Sequence, residues 1–407
     1  MTAVIAGVFL FVYAGMMLGR IPGLAIDRTG IVLLGVIVLV LSGAISLDAA
    51  WESVDVPTIA LLFGLMVLSA QFRLGGFYST ITRRIAATDA APRKFLLWVI
   101  LASGALSALL ANDIICLAMA PVLMEACQRR HLRPLPFLLA LACASNIGSA
   151  ATLIGNPQNM LIGQMLRMGF SGYLLRAIVP ATVGLFLCWW IIVVLVRGHW
   201  HQETNLPDAE VPPFNVWQTG KGLAVLVALI AVFLLDPIPR EIAALSAAGI
   251  LLASRRLASR HFLALVDWNL LVLFIGLFIV NHALAESGLL VSAVESIRSV
   301  GVDPGHGGWL FALTAVLSNF VSNVPAVMLL LNATDHPQAG LILAMSSTLA
   351  GNLIIVGSIA NIIVVDQASR LGLTIGFLDH LRVGVPVTLA TLAFSGLWIW
   401  LLVAFGV

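Results

Sequence analysis

Apolar runs separated by short polar stretches recur along the chain, at 3–19, 29–47, 56–72, 135–168, 172–196, 218–235, 240–254, 268–285, 338–368 and 383–405. A helix needs about 20 such residues to cross a hydrocarbon core of roughly 30 Å, so each run is predicted to be a transmembrane helix. Two further apolar stretches, 95–126 and 308–331, break the template. As one helix the first would be about 48 Å long, too long for a single crossing, while two crossings need about 40 residues. A re-entrant hairpin of two half-helices fits both stretches. Within 135–168 and 338–368 the pattern is itself interrupted, by Gly155-Asn156-Pro157 in one and by glycine and polar positions over 350–358 in the other. These read as broken helices.

The pattern also repeats. "VDVPTIALLFGLMVLSAQFRLGG" (54–76) matches "VDWNLLVLFIGLFIVNHALAESG" (266–288) at an offset of 212, with Val54, Asp55, Leu61, Gly64, Leu65 and Gly76 on identical residues. "LSALLANDIICL" (106–117) matches "LSNFVSNVPAVM" (317–328) at 211, placing Asn112 on Asn323. At an offset of 202, Ser145, Gly155 and Asn159 fall on Ser347, Gly357 and Asn361. The chain therefore divides into a first repeat (1–196), a polar linker (197–217) and a second repeat (218–407).

Composition supports this reading. Of 407 residues, 60% are hydrophobic and 10% charged, with a mean hydropathy of +1.06; soluble domains carry roughly a quarter charged residues. A polytopic membrane protein is expected. No signal-peptide pattern opens the chain, so 3–19 is read as a retained span. The four cysteines, Cys116, Cys127, Cys143 and Cys188, lie in or beside apolar segments without metal-like spacing, which suits packing. The histidines are scattered, so no structural metal site is expected. A net charge of +2 says nothing for nucleic acid, and none is expected as a partner.

Charge placement tests the hairpins. If both return to the side they entered from, the Lys and Arg residues divide 17 to 4 between the two sides; if each crosses once, they divide 13 to 8. The positive-inside rule favours hairpins, with both termini outside the cytoplasm. Each half then has five crossings plus one hairpin, and an odd number of crossings makes the second half an inverted copy of the first. The predicted fold is an all-α polytopic membrane protein of two inverted repeats with broken helices at the midplane.

Non-helical backbone is tolerated at membrane depth only when buried in protein or lining a cavity. The tips carry Asn112-Asp113 and Ser322-Asn323. With the two breaks they bring four half-helix amino termini, near Ile114, Gln158, Pro325 and Ile359, to one centre, where free N–H groups favour an anion. Carbonyls freed at the breaks, with Asn and Ser side chains, suit a small cation beside it. The same residues serve as helix caps, and Gly148, Gly155, Gly351 and Gly357 also permit close helix packing. Asp113 is a carboxylate at mid-membrane, a functional candidate by default, for Na⁺ or a coupling proton. His282 and Glu286 are expected to form a local pair, and 73–94 an interfacial helix. No G-x-x-x-x-G-K-[ST] motif occurs. No nucleotide or other cofactor is expected, and energy must come from an ion gradient or a partner subunit.

The segments "ALLANDIICLAMAPVL", "SNIGSAATLIGNPQNMLIG", "SNVPAVMLLL" and "GNLIIVGSIANIIV" resemble the ion transporter superfamily. It contains the divalent-anion/sodium symporters, the arsenite permeases and a group of Na⁺/H⁺ antiporters. Symporter tips carry Ser-Asn-Thr; here Ser322-Asn323-Val324 keeps two of the three and Ala111-Asn112-Asp113 keeps the Asn. "AND" is similar to the arsenite-permease branch, and "ATLIGNPQN" to the anion-symporter branch. The resemblance implies a secondary transporter and not an enzyme, working as a homodimer by an elevator motion in a bacterial inner membrane. Its substrate would be a small anion or oxyanion, coupled to Na⁺ or H⁺. Arsenite or antimonite efflux by proton exchange, and Na⁺/H⁺ antiport, stand as alternatives. Candidate substrate contacts are Asn112, Ser145, Asn146, Thr152, Asn159, Ser322, Asn323, Ser358 and Asn361. Candidate coupling-ion contacts are Asn112, Asp113, Asn146, Gly155, Asn156, Asn323, Gly351, Asn352 and Gly357, with Na⁺ the one metal ion considered.

Overall fold

The computed structural model describes residues 1–18, 25–88, 90–202, 213–255 and 257–406. Arg20 and Arg256 of the charge division, and 203–212 of the predicted linker, lie outside the described residues. Among the described residues there are twenty α-helices and one isolated bridge, Leu132 to His201. Ten helices fall in each half and correspond in order. In the first half these are α1 (Thr2–Leu18), α2 (Arg28–Leu41), α3 (Leu47–Glu52), α4 (Val56–Leu74), α5 (Phe77–Ala86), α6 (Pro92–Leu109), α7 (Asn112–Arg129), α8 (Pro134–Ser149), α9 (Pro157–Met165) and α10 (Phe170–Val196). The second half has α11 (Val216–Leu235), α12 (Arg240–Leu252), α13 (Ser259–Leu263), α14 (Trp268–Glu286), α15 (Leu289–Ser299), α16 (Gly307–Val321), α17 (Asn323–Leu331), α18 (Ala339–Ala350), α19 (Ile359–Arg370) and α20 (Phe377–Ala404).

The repeated residues have local causes. Asp55 and Asp267 cap α4 and α14, accepting from Thr58 N at 2.8 Å and Leu270 N at 3.0 Å, which satisfies amides a helix start leaves free. Gly76 and Gly288 open α5 and α15 with φ of 65° and 73°, a left-handed conformation that favours glycine. Gly64 and Gly276 sit where a Cβ would come within 2.6 Å of Ala244 backbone and 2.5 Å of Val32 Cγ1. Thus α4 packs closely on α12 as α14 packs on α2. This exchange of partners is what a two-fold relation between the halves requires.

Six helices, α4, α6, α10, α11, α14 and α20, are long and apolar enough to cross a membrane. With α6 set aside as a hairpin arm, the other five together with α1, α2, α12 and the joined pairs α8–α9 and α18–α19 give each half five crossings; α6–α7 and α16–α17 are the hairpins. The fold is two inverted repeats, each of five transmembrane helices and one re-entrant hairpin.

Some boundaries moved from the sequence expectation. The second span stops at Leu41, where Gly43 turns the chain with φ 68°. The last begins at Phe377 rather than 383 because the Asp379 carboxylate accepts from Gly376 N at 3.1 Å and extends the helix. The segment predicted to be interfacial forms α5, whose Arg83 reaches Glu125 of α7 at 3.4 Å. The broken helices form the centre. Every residue of α18, and all but Leu135 of α8, is buried, whereas α10 and α20 carry exposed Leu175, Phe186, Trp190, Leu389, Leu397 and Trp400 outward, an apolar face suited to lipid.

Candidate functional site

Chain direction reverses at each hairpin tip with few residues. At the first, Leu110 and Ala111 are extended (φ −136° and −56°), and α7 starts at Asn112. At the second, Ser322 alone joins α16 to α17, with φ 76° and ψ 160°, a region that costs a side-chain-bearing residue about 1–3 kcal/mol. The four half-helices start at Asn112, Pro157, Asn323 and Ile359, within two residues of the expected positions.

Each break leaves carbonyls without helical partners, and the two halves satisfy them alike. Asn159 Nδ2 donates to Ser149 O (3.4 Å) and Thr152 O (2.9 Å). Asn361 Nδ2 donates to Gly351 O (2.8 Å) and Ile354 O (3.1 Å), the same positions at the offset of 202. Asn156 Oδ1 accepts from Asn159 N at 2.9 Å, and Ser358 Oγ from Ala360 N at 3.2 Å. A third carbonyl is taken from the long helix that follows: Tyr173 Oη donates to Ala150 O at 2.7 Å, and His380 Nε2 to Asn352 O at 3.0 Å.

Asn146 joins the halves. Its Oδ1 accepts from Asn112 Nδ2 (3.0 Å) and Ser358 Oγ (2.9 Å), and its Nδ2 donates to Asn352 Oδ1 (2.8 Å) and Asn361 Oδ1 (3.2 Å). Beside this cluster Thr348 Oγ1 accepts from Asn156 Nδ2 (3.3 Å) and Gln158 Nε2 (3.2 Å). Glycine lets the tips reach the breaks. A Cβ on Gly155 would lie 2.8 Å from Ser107 O of the first hairpin, and one on Gly357 would lie 2.8 Å from Asn319 Oδ1 of the second. On Gly351 it would fall 3.3 Å from Asn323 Nδ2.

The structure therefore gathers Asn112, Asn146, Asn352, Ser358 and Asn361 into one bonded cluster, with Asn156 and Asn159 alongside, and brings Asn323 over Gly351. Asn112 Oδ1 and Asn323 Oδ1, equivalent atoms on the two tips, are buried without a hydrogen-bond partner, as are Ser107 Oγ and its counterpart Ser318 Oγ. Other candidates point elsewhere. Ser145 Oγ bonds Ala142 O (2.9 Å) and Cys116 Sγ (3.0 Å), and Thr152 Oγ1 bonds Ala108 O on α6 (2.5 Å). Among the described residues the Ser322 hydroxyl has no hydrogen-bond partner and does not cap α17. Asp113 lines a cavity of about 130 Å³ with Arg73 of α4 and Asp267 ahead of α14, and is in no ion pair among the described residues. The expected His282–Glu286 pair does not form: neither residue is in an ion pair among the described residues.

Several participants were not expected. Tyr173 and His380 sit in or next to apolar spans, although "FSGY" and "FLDH" share a register at an offset of 207. Thr348 occupies the position equivalent to Asn146, and Asn319 that of Ala108. Among the described residues no group of three or more His, Cys, Asp or Glu could hold a metal, so a cation here would meet neutral oxygens.

A family model described as citrate transporter matches residues 8–341. The chain is 28% identical over 410 residues to an uncharacterized transporter, Rv2685, of Mycobacterium tuberculosis, covering 92% of this chain and 94% of that one. It is 28% identical over 452 residues to the silicon efflux transporter LSI3 of Oryza sativa subsp. japonica, covering 92% of each. It is 29% identical over 329 residues to the inner membrane protein YbiR of Escherichia coli, covering 79% and 82%. Among solved structures it is similar to the YdaH transporter of Alcanivorax borkumensis, with a TM-score of 0.59 and 15% identity over 100% of this chain and 98% of that one.

Proposed function

The chain is a membrane transporter of the citrate transporter family and not an enzyme, and from that premise we propose that it moves a small anion or oxyanion across a bacterial inner membrane, coupled to Na⁺ or H⁺. The observation that carries this reading is the pair of buried, unpartnered carboxamide oxygens on Asn112 and Asn323, equivalent atoms at the two tips. An unsatisfied buried acceptor costs about 1–3 kcal/mol, and a small cation offsets that cost. Half-helix amino termini at the same centre suit the anion. One cation would sit by Asn112 and the 146–156 break, its mirror by Asn323 and the 351–358 break. The substrate would touch Asn146, Asn159, Ser358 and Asn361, with Ser145, Thr152 and Ser322 reached after rearrangement. Homodimeric assembly, an elevator motion and termini outside the cytoplasm complete the proposal.

A second reading has specific support. No Lys or Arg side chain bonds the Asn146 cluster among the described residues, and a relative is named for silicon efflux. A neutral hydroxide such as arsenous acid would be met by the amides alone, with Asp113 exchanging a proton.

The test is uptake of labelled succinate, sulfate, phosphate and arsenite into proteoliposomes, under an imposed Na⁺ gradient and then an H⁺ gradient. Anion uptake that follows one gradient supports the first reading. Arsenite movement driven only by protons supports the second, and cation exchange with no other solute would indicate antiport. Asp113→Asn with full gradient-driven transport would remove Asp113 from the coupling role.

A further inference from the structure

Tyr173 and His380 hold equivalent places: each lies in the first turn of the long helix that follows a break, and each donates to the carbonyl of the residue just after the first half-helix or one beyond it, Ala150 in one half and Asn352 in the other. Those two carbonyls are themselves equivalent at the offset of 202, so the pairing is a property of the repeat and not of one packing accident. Both side chains are almost fully buried, at 2% and 1% exposure. Nothing in an apolar span requires a tyrosine hydroxyl or an imidazole, and a phenylalanine would fill much the same volume.

Their further bonds differ. The Tyr173 hydroxyl donates to Ala150 O and also receives Asn159 Nδ2 at 3.2 Å. Since Asn159 also holds Ser149 O and Thr152 O, the whole first break is tied into one ring of bonds. His380 has only half of this. Because Asn352 O accepts, Nε2 must carry the hydrogen, and Nδ1 is left an acceptor that receives nothing. Asn361 Nδ2 bonds Gly351 O and Ile354 O as Asn159 bonds their equivalents, but makes no third bond to His380. The two loops reflect this: 148–163 is wholly buried, while Leu353, Ile354 and Ile355 are half-buried and Val356 is 47% exposed.

We propose that Tyr173 and His380 are matched positioning residues, each fixing the carbonyls of its own helix break so that the neighbouring tip Asn can share a cation with them, and that the missing bond at His380 makes the second site the weaker of the two. The inference rests on the tip-cation reading. Neither residue touches the ion; each sets how much order the loop must still acquire when the ion binds, and a loop already ordered binds more tightly.

The experiment uses the full-length protein in detergent, with Na⁺ (against K⁺) titrated and thermal stability read out, alongside hydrogen–deuterium exchange of the two breaks. Tyr173→Phe, which removes only the hydroxyl, is expected to raise the Na⁺ midpoint about fivefold and to speed exchange in 150–156 but not in 352–358. His380→Phe is expected to raise the midpoint about twofold and to speed exchange in 352–358 alone, and His380→Gln, which restores an N–H donor, should recover most of both. A lowered melting temperature with an unchanged Na⁺ midpoint would reduce both residues to structural fillers and overturn the inference, as would identical behaviour of His380→Phe and His380→Gln. Were the unaltered protein itself indifferent to Na⁺, the tip-cation reading would fall first and the inference with it; a Na⁺ response that neither variant changes sinks the inference alone.

Discussion

The two hairpins begin as copies and end as different machines. In the first, Gly104 of α6 and Gly148 of α8 meet backbone to backbone: a Cβ on Gly148 would lie 2.2 Å from Gly104 O. The equivalent pair in the second half is Ala315 and Ala350. There the helices are bridged by the Asn319 amide, which donates to Ala315 O at 2.9 Å and Ala350 O at 3.1 Å. Asn319 stands where the first half has Ala108, and direct contact of two glycines explains why a small residue suffices there. The tips differ in the same sense. Asn112 N donates to Gly155 O at 3.3 Å and docks the first tip on its break, while no such bond joins Asn323 to Gly357 and the second tip turns on the strained Ser322.

Carbonyl satisfaction at the breaks is common to both halves, whereas the contacts that fix a hairpin against its break are dense in the first and sparse in the second. Unsatisfied backbone at membrane depth is penalised wherever it occurs, so the bonds from Asn159 and Asn361 have no substitute. Hairpin docking carries no such constraint and is free to diverge. The first half of the site is therefore the more tightly docked of the two.

The largest expected effect comes from the one side chain that belongs to both. Asn146→Ala removes four hydrogen bonds, three of them to the second half, and leaves Asn352, Asn361 and Ser358 short of partners. A loss of about 3–5 kcal/mol in stability is expected, with transport in proteoliposomes falling to background. Its repeat equivalent, Thr348→Ala, removes contacts to Asn156 and Gln158 on the first break and should cost about 1 kcal/mol. Equal effects on melting temperature would mean that the halves share the cluster evenly, contrary to the comparison.

Next is Gly148→Ala. With backbone 2.2–2.5 Å from the new Cβ, α8 must move away from α6, and overpacking of this kind costs about 1–3 kcal/mol. The reciprocal change at the equivalent position, Ala350→Gly, leaves the Asn319 bridge intact and should cost no more than the roughly 1 kcal/mol helix propensity of glycine. Thermal denaturation of the two variants side by side reads the difference directly.

Ser322→Gly should go the other way. Glycine adopts φ 76°, ψ 160° without a side-chain penalty, so about 1 kcal/mol of stability is gained, whereas Ala111→Gly at the relaxed tip only adds unfolded-state freedom and loses about 0.5–1 kcal/mol. A stabilised Ser322→Gly with slower transport would indicate that the strain is used in the motion of the second hairpin. Loss of stability at both tips would abolish the distinction between them.

How much of this was legible in the chain follows from range. Spans, hairpins and breaks depend on local apolar length and on Gly and Asn-Pro positions, and the repeat exposes itself through Asp55, Gly64 and Gly76, whose causes are a cap, a close packing and a positive φ. Contacts across long separations left no such trace. Tyr173 bonds a carbonyl 23 residues away and His380 one 28 away, and in sequence each is one more residue at the edge of an apolar run. The chain shows that a carboxylate stands at Asp113, but its direction depends on how α7 is turned about its axis, and it faces the Arg73 cavity rather than the Asn146 cluster. The role of Asn146 as the shared hub required both halves to be folded together.

The smallest effect tests the comparison at the base of the hairpins rather than at the tips. At the base of the first, the Arg130 guanidinium donates to Ala90 O and lies 4.6 Å over the Phe95 ring. At the base of the second, two imidazoles do the work: His306 Nδ1 accepts from Gly308 N at 3.3 Å at the start of α16, and His336 Nδ1 accepts from Gln338 N at 3.1 Å at the start of α18. Protonation turns the His336 acceptor into a donor facing an N–H. Burial, and then the neighbouring His306, hold the His336 imidazole below its ordinary value. A base whose folded pKa is depressed binds its proton more readily unfolded, so its contribution is present above about pH 6.5 and is lost as pH falls below that value. Hydrogen–deuterium exchange, corrected for the intrinsic pH dependence of the rate, should therefore rise in 334–339 between about pH 7.5 and 5.5 while 90–95 stays level, and His336→Gln should flatten the response. A parallel rise at both bases would place the acid sensitivity outside the imidazoles and remove this last difference between the halves.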